Sequence, residues 1–188
     1  MLKKELRSLY INKRKELNTW AVDAYSRAIT ERIINRFSPS VGNSMHLFLS
    51  SSKFNEVDTK HLVDYCLNNG VDVFVPKVQG GRMISVKLTP QSKLQTGAFG
   101  ILEPQSNEEE LRTHFDFIIT PLLYADLNGN RVGYGKGYYD SFFGGLDSSS
   151  LRIGVSFFPP GDPISDLNLQ DVALHYLVTP SEILSFKG

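Results

Sequence analysis

The stretch Gly133-Tyr134-Gly135-Lys136-Gly137-Tyr138-Tyr139-Asp140 gathers the residue types best able to do chemistry in this sequence. Three glycines in five positions leave backbone N–H groups uncovered so that an anion can approach, and Lys136 adds a mobile positive charge in their midst. That combination suits phosphate. Residues 137–143 read as the first turns of a helix, whose N-terminal amides and dipole would point at the same anion. The carboxylate of Asp140, one turn on, could take a magnesium ion. The spacing is not that of a Walker loop, because no Ser or Thr follows the lysine, and it is not a dinucleotide fingerprint. A Gly-rich turn that merely feeds a helix is the plainer alternative. The lysine between glycines, followed by two tyrosines and an aspartate, weighs against it.

The elements that must position this loop can be read in order. Residues 2–17 have helical periodicity, with Leu2, Leu6, Leu9, Tyr10 and Leu17 on one face. Lys3, Arg7 and Arg14 fall beside that apolar stripe, either as a solvated basic flank or as one wall of an anion site. A second amphipathic helix covers 21–36 through Ala24, Ala28, Ile29, Arg32 and Ile33, and stops at Phe37-Ser38-Pro39. Met45–Leu49 is a short apolar strand, 50–55 a loop, and Glu56-Val57-Asp58-Thr59 opens a helix closed by Asn69-Gly70 as a left-handed cap. A strand at 71–75 follows. Strand, helix, strand predicts a parallel sheet with a right-handed crossover. Ligands of such sheets sit beyond the C-terminal strand ends, where Glu56 and Lys77 are expected, although Glu56 could equally serve the helix dipole from the first turn.

Gly80-Gly81 turns the chain into 83–88, a hairpin partner or edge strand, so the sheet is mixed. Residues 89–111 are turn-rich around Gly97, Phe99, Gly100, Ile101 and Pro104, with a short helical turn expected at Glu108-Glu109-Glu110; a stretch of this kind is often a binding loop. Strands are expected at 115–120, which delivers the glycine loop, at 152–157, broken by Pro159-Pro160-Gly161, and last at 175–179.

Length and composition set the frame. A chain of 188 residues with 41% hydrophobic and 21% charged residues describes an ordinary globular domain, and we expect residues 1–188 to form one. A formal net charge of zero argues against bulk nucleic-acid binding. The single cysteine, Cys66, lies beside Leu62 and Val63 on the apolar side of its helix and reads as a buried structural thiol. The sequence has no apolar run long enough for a membrane span and no signal-peptide core at its start, from which a cytoplasmic protein is expected.

Lys3-x-x-x-Arg7, Glu56-Val57-Asp58-Thr59, the motif 133–140 and Asp171 ahead of the last strand together resemble the 5-formyltetrahydrofolate cyclo-ligase family, also called methenyltetrahydrofolate synthetases. The resemblance runs through nearly the whole chain in the expected order. It implies that Lys3, Arg7, Arg131, Gly133, Tyr134, Gly135, Lys136, Gly137, Tyr138 and Tyr139 contact ATP. It further implies that Leu49, Glu56 and Gly133 to Gly137 contact the folate, and that Asp140 and Asp171 hold Mg²⁺. The implied fold is a three-layer α/β/α sandwich on a mostly parallel, mixed sheet. Two departures stand out: His175 occupies a position where the family commonly has a second Asp, and the loop 50–55 looks longer than usual.

The implied reaction turns 5-formyltetrahydrofolate and ATP into 5,10-methenyltetrahydrofolate, ADP and phosphate. The formyl oxygen would attack the γ-phosphate, and folate's second amine would then close the ring. Such chemistry needs alignment and charge neutralisation more than a covalent nucleophile. Lys136, Tyr138 and Tyr139 are the expected catalytic residues, Glu56 the partner of the pterin donors, and His175 a structural residue. A monomer is expected, with ATP and the folate as its partners and neither nucleic acid nor membrane among them. A sugar-phosphate isomerase or acyl-transferase-like enzyme on a similar sandwich, and a non-catalytic folate- or nucleotide-binding relative, are the alternatives.

Overall fold

The computed structural model describes residues 1–97 and 100–186. Its elements are α1 (Lys3–Lys15), α2 (Thr19–Phe37), β1 (Ser44–Leu47), a 3₁₀ turn (Ser52–Phe54), α3 (Lys60–Asn68), β2 (Asp72–Gln79), β3 (Arg82–Leu88), β4 (Leu94–Thr96), β5 (Leu102–Pro104), β6 (Phe117–Pro121), β7 (Tyr124–Ala125), β8 (Arg131–Val132), α4 (Tyr138–Gly144), β9 (Leu151–Val155), β10 (Tyr176–Val178) and β11 (Ile183–Ser185). Seven strands form one sheet in the order β11-β10-β9-β6-β1-β2-β3. The inner five are parallel, and β3 and β11 close the two edges antiparallel.

The strands alternate strictly, and the alternation builds three layers. Met45 and Leu47 of β1, Val73 and Val75 of β2 and Ile119 of β6 face α2 and α3, which contribute Ile29, Ile33, Leu62 and Cys66 to one core. Burying each of the larger of these aliphatic side chains contributes roughly 1.5–3 kcal/mol. Phe74 and Ile118 point to the opposite face, where Phe115 and Phe143 of α4 cover them. His46, between Met45 and Leu47, also faces that side, its ring 5.2 Å from Phe115 and 4.6 Å from Phe142. Helix α1 packs Leu6 and Tyr10 on Leu123, Tyr124 and Val132 at the β7–β8 hairpin.

Local chemistry explains the boundaries. Asn18 accepts the Ala21 N–H at 2.8 Å to start α2, and Ser38 ends it in the left-handed region at φ 46°. Gly70, at φ +69°, follows α3 and lets the chain enter β2 directly. Cys66 is buried at the centre of the first core, and burial pushes its thiol up to about 12, as befits a structural residue.

Several expectations change. Leu2 and Leu9 are exposed, and the buried line of α1 is instead Leu6, Tyr10 and Arg14, at a strict i, i+4, i+8 spacing. Glu56 precedes α3 by four residues and is buried, so it serves no helix dipole. Lys77 lies inside β2 rather than beyond its end, because the strand runs on to Gln79 to pair with β3. Residues 108–110 are not helical: Glu110 donates its N–H to Ser85 O and Glu109 pairs with Arg82, both extending the sheet edge. Residues 89–111 contain the β4–β5 hairpin, while Phe99 lies outside the described residues. The strand at 175–179 is not the last, since β11 pairs with it from the outside.

Candidate active site

The sheet order reverses between β1 and β6: the chain moves from β1 outward to β2 and β3, and from β6 the other way to β9 and β10. At such a point the loops leaving the two strands diverge and open a crevice. From β1 come Leu49, the 3₁₀ turn and Glu56; from β6 comes the β7–β8 hairpin that carries the glycine loop. That hairpin is braced by Asp126, fully buried, whose Oδ1 accepts the N–H groups of Asn128 and Asn130 at 2.9 and 3.0 Å and whose Oδ2 accepts Ile164 N–H at 3.2 Å. A buried carboxylate satisfied by backbone donors fixes the turn and thereby aims the loop.

Within the loop two glycines are required by conformation. Gly135 has φ +89° and Gly137 φ +70°, values that side-chain-bearing residues rarely adopt. At Gly135 the reason is also steric, since a Cβ there would come within 3.1 Å of the Arg7 guanidinium. Arg7 donates from Nε to Gly133 O at 2.9 Å, so α1 lies directly against the loop. Lys136 stands exposed between the two glycines. Helix α4 follows at once but runs only Tyr138–Gly144, so the loop amides and the cations around them carry more of any anion binding than the helix dipole does.

Two carboxylates face this loop, each tied to a cation. Lys3 Nζ donates to Asp171 Oδ2 at 2.5 Å, and Asn168 N–H donates to the same oxygen at 2.7 Å. Burial pushes the Asp171 carboxyl up, but Lys3, the Asn168 amide and Arg131 outweigh it and hold it below the usual range. Arg131 Nη2 donates to Asp140 Oδ1 at 2.8 Å, and Val172 N–H reaches that oxygen at 3.2 Å. The other end of the Arg131 guanidinium binds Val172 O, and its Cζ lies 4.8 Å from the Phe143 ring centroid. Arg131 thus joins Asp140 to the segment beside Asp171.

Across the crevice, Glu56 Oε2 accepts Ser51 N–H at 2.8 Å. Burial raises the Glu56 pKa, while the Ser51 amide, the charge of Arg14 and the Tyr134 hydroxyl oppose that rise. The Tyr134 hydroxyl accepts from Arg14 Nη1 at 2.8 Å, and its ring packs 5.8 Å from Phe54. Tyr138 lines the crevice. Tyr139 packs against Phe142 and Phe143, and its hydroxyl is buried with no hydrogen-bond partner among the described residues.

All of Lys3, Arg7, Leu49, Glu56, Arg131, Gly133, Tyr134, Gly135, Lys136, Gly137, Tyr138, Tyr139, Asp140 and Asp171 line one cavity of about 1050 Å³. Its apolar wall includes Phe48, Phe54, Pro76, Val78 and Met83, which carry no sequence signal of a site, and Ile101 and Leu102, from the turn-rich stretch expected to be a binding loop. Pro76, Val78 and Met83 sit in β2 and β3, where their pattern reads as ordinary core. Lys77 also lines it; its Nζ donates to Pro104 O at 2.7 Å and Ser106 O at 3.1 Å, fastening the β4–β5 hairpin as a side wall. His175 is absent from this cavity and instead bonds Arg152, through Nδ1 to the backbone N–H at 3.1 Å and through Nε2 to the side chain at 2.7 Å.

Among the described residues no group of three or more His, Cys, Asp or Glu is placed to hold a metal unaided. Asp140 and Asp171 nevertheless fit magnesium. Their protein hydrogen bonds go to one oxygen of each carboxylate, and Mg²⁺ typically takes one or two carboxylates and completes its shell with phosphate and water. Among the described residues no helix is long and apolar enough to cross a membrane.

The profile of the 5-formyltetrahydrofolate cyclo-ligase family matches residues 1–157. The Escherichia coli K12 5-formyltetrahydrofolate cyclo-ligase is 27% identical over 150 residues, covering 76% of this chain and 81% of its own. The Mus musculus 5-formyltetrahydrofolate cyclo-ligase is 31% identical over 126 residues, with 62% and 61% covered. An NMR structure of Aquifex aeolicus 5,10-methenyltetrahydrofolate synthetase superimposes with a TM-score of 0.83 at 28% identity, over 100% of this chain and 94% of that one.

Proposed function

The chain belongs to the 5-formyltetrahydrofolate cyclo-ligase family, and from that premise we propose that it uses ATP to convert 5-formyltetrahydrofolate into 5,10-methenyltetrahydrofolate with release of ADP and phosphate. The observation that carries the reading is the meeting, in one cavity, of a glycine loop ringed by Lys3, Arg7 and Lys136 with a buried carboxylate, Glu56, set among apolar side chains. One surface suits a triphosphate. The other suits a flat heterocycle with N–H donors.

In this reading Lys136, Lys3, Arg7 and the amides of Gly133 to Gly137 hold the ATP phosphates, with Tyr134 and Tyr138 beside them and Arg131 and Tyr139 behind them as support. Glu56 accepts the pterin N–H groups over Leu49, which turns the formyl oxygen toward the γ-phosphate. The bond from that oxygen to phosphorus forms as the bridge to ADP breaks. Folate's second amine then attacks the formyl carbon, the carbon–oxygen bond breaks, phosphate leaves, and the amine proton goes to solvent. Lys136 is placed to stabilise charge on the transferring group, and the Tyr138 hydroxyl to orient the formyl group. Magnesium held by Asp140 and Asp171 with the nucleotide would neutralise further phosphate charge. Phe54, Met83 and Leu102 give the cavity an apolar wall beside the site of the phosphorylated intermediate. We assign the protein to the cytoplasm, as a monomer with these two small-molecule partners.

The test is ADP release with and without 5-formyltetrahydrofolate and Mg²⁺. Release that needs both supports the proposal. Folate binding with no ADP release points to a non-catalytic relative, and turnover of another substrate without ATP to a different enzyme.

A further inference from the structure

Arg14 touches neither substrate in the reading above, yet it is a fully committed buried cation with only 3% of its surface exposed. Charged side chains are almost never buried to that degree unless paired. Its Nη1 donates to the Tyr134 hydroxyl at 2.8 Å, and its Nη2 donates to Leu122 O just past β6. Its own backbone carbonyl accepts from Asn55 Nδ2 at 2.9 Å, and Asn55 is the residue before Glu56. Three segments therefore converge on this one residue: the strand exit that delivers the glycine loop, the loop itself at Tyr134, and the loop that presents Glu56. We propose that Arg14 is a positioning residue that couples the two halves of the cavity, fixing Tyr134 beside Glu56 and supplying the buried positive charge that balances this carboxylate for pterin recognition. The inference rests on Glu56 being the folate carboxylate.

Glu56 accepts the Ser51 amide from the loop after β1, and it interacts electrostatically with Arg14 from α1, Tyr134 from the glycine loop and Tyr139 from α4. Arg14 is the cation among these four. Burial already raises the carboxyl, and the charge of Arg14 opposes that rise. Without it, Glu56 would hold its proton to a higher pH, and a protonated carboxyl cannot accept from two pterin donors at once. The acid limb of folate binding should then move upward.

The experiment compares wild type with Arg14→Met, Arg14→Gln and Arg14→Lys, measuring KM for each substrate and 5-formyltetrahydrofolate binding across pH 6–9. Arg14→Gln keeps a donor for Leu122 O and so serves if the Met variant does not fold. In both neutral variants the acid limb is expected to rise by about one pH unit, with about tenfold weaker folate binding on that limb. The KM for ATP should change far less. Arg14→Lys, which retains charge but not the two-pronged geometry, should keep the wild-type limb while still weakening folate binding. A folded Arg14→Gln protein whose limb stays put, or whose two KM values rise equally, overturns the proposal while leaving the function intact. If wild type neither binds the folate nor turns it over, the functional reading fails and takes this inference with it.

Discussion

Lys3 and Asp171, 168 residues apart in the sequence, are joined by an ion pair 2.5 Å long at the mouth of the cavity. Each side chain keeps about one sixth of its surface, 17% and 18%, so the pair is shielded enough to hold Asp171 ionised and open enough for a third partner to reach it. The helix that supplies cations is thereby fixed to the segment that supplies a carboxylate.

Asp171→Asn and Asp140→Asn should each shift the magnesium dependence of activity to higher concentration, several-fold, without emptying the nucleotide site, because Mg²⁺ typically keeps waters and phosphate oxygens when one carboxylate is lost. Asp171→Asn also strips Lys3 of its partner. Activity against Mg²⁺ at saturating ATP and folate is the measurement, and an unchanged midpoint in both variants removes these residues from the metal site.

Lys136→Ala should lower kcat by about 10²–10³-fold with the circular dichroism spectrum unchanged, since a group acting on the transferring phosphoryl is worth several kcal/mol in the transition state. Its side chain is exposed, so no packing is lost. Near wild-type turnover in the folded variant would falsify the phosphate role of the loop.

Arg7→Ala should raise the KM for ATP about tenfold and that for folate less, because it removes the brace at Gly133 O as well as a cation. Gly135→Ala should mimic it from the other side, forcing a Cβ to within 3.1 Å of the guanidinium at φ +89°. Equal effects of these changes on both substrates would return α1 to the role of a solvated basic flank.

His46 should govern part of the acid limb of stability. Burial lowers its pKa to about 3, whereas the unfolded imidazole titrates near 6.5. The unfolded state therefore binds the proton first, and the stability present above pH 6.5 is lost as the pH falls from 6.5 toward 3, by at most about 1.4 kcal/mol per pH unit. Both ring nitrogens lack a hydrogen-bond partner among the described residues. His46→Leu should thus flatten that slope and stabilise the fold by about 1 kcal/mol at pH 7. Urea unfolding at pH 7.5, 6 and 5 checks it; parallel slopes in the two proteins would sink the idea.

Much of this architecture was legible from local pattern. The strands around Met45–Leu47 and Val73–Val75 and the Gly80-Gly81 hairpin appear where their residues predict them, and the crossover helix lies between the strands but starts at Lys60 rather than Glu56. The glycine loop was legible because its turns at Gly135 and Gly137 take conformations that only glycine adopts freely. What stayed hidden depends on partners remote in sequence. Arg14 reads only as one of three cations flanking the apolar stripe, solvated or walling an anion site, because its acceptors, Leu122 O and the Tyr134 hydroxyl, arrive 108 and 120 residues later. The one local clue was its i, i+4, i+8 spacing with Leu6 and Tyr10. Glu108 to Glu110 read as helical by composition, but the open edge of β3 offered a backbone partner first. The part of the apolar wall from Phe48, Pro76, Val78 and Met83 carries no signal, since the same residues would be needed for a closed core, whereas Ile101 and Leu102 come from the stretch whose turns marked it as a binding loop.

The placement of β1 and β6 as neighbours also orders events in time. Strand β1 is complete by residue 47, but its partner on that side begins only at residue 117. Without β6, β1 has no partner on that side, and an uncovered strand edge is a surface on which other strands can pair. The crevice between β1 and β6 cannot exist before that flank is covered, and Lys3 must wait longer still for Asp171. The site therefore exists only once both halves of the sheet have met, and its formation waits on contacts that span most of the chain.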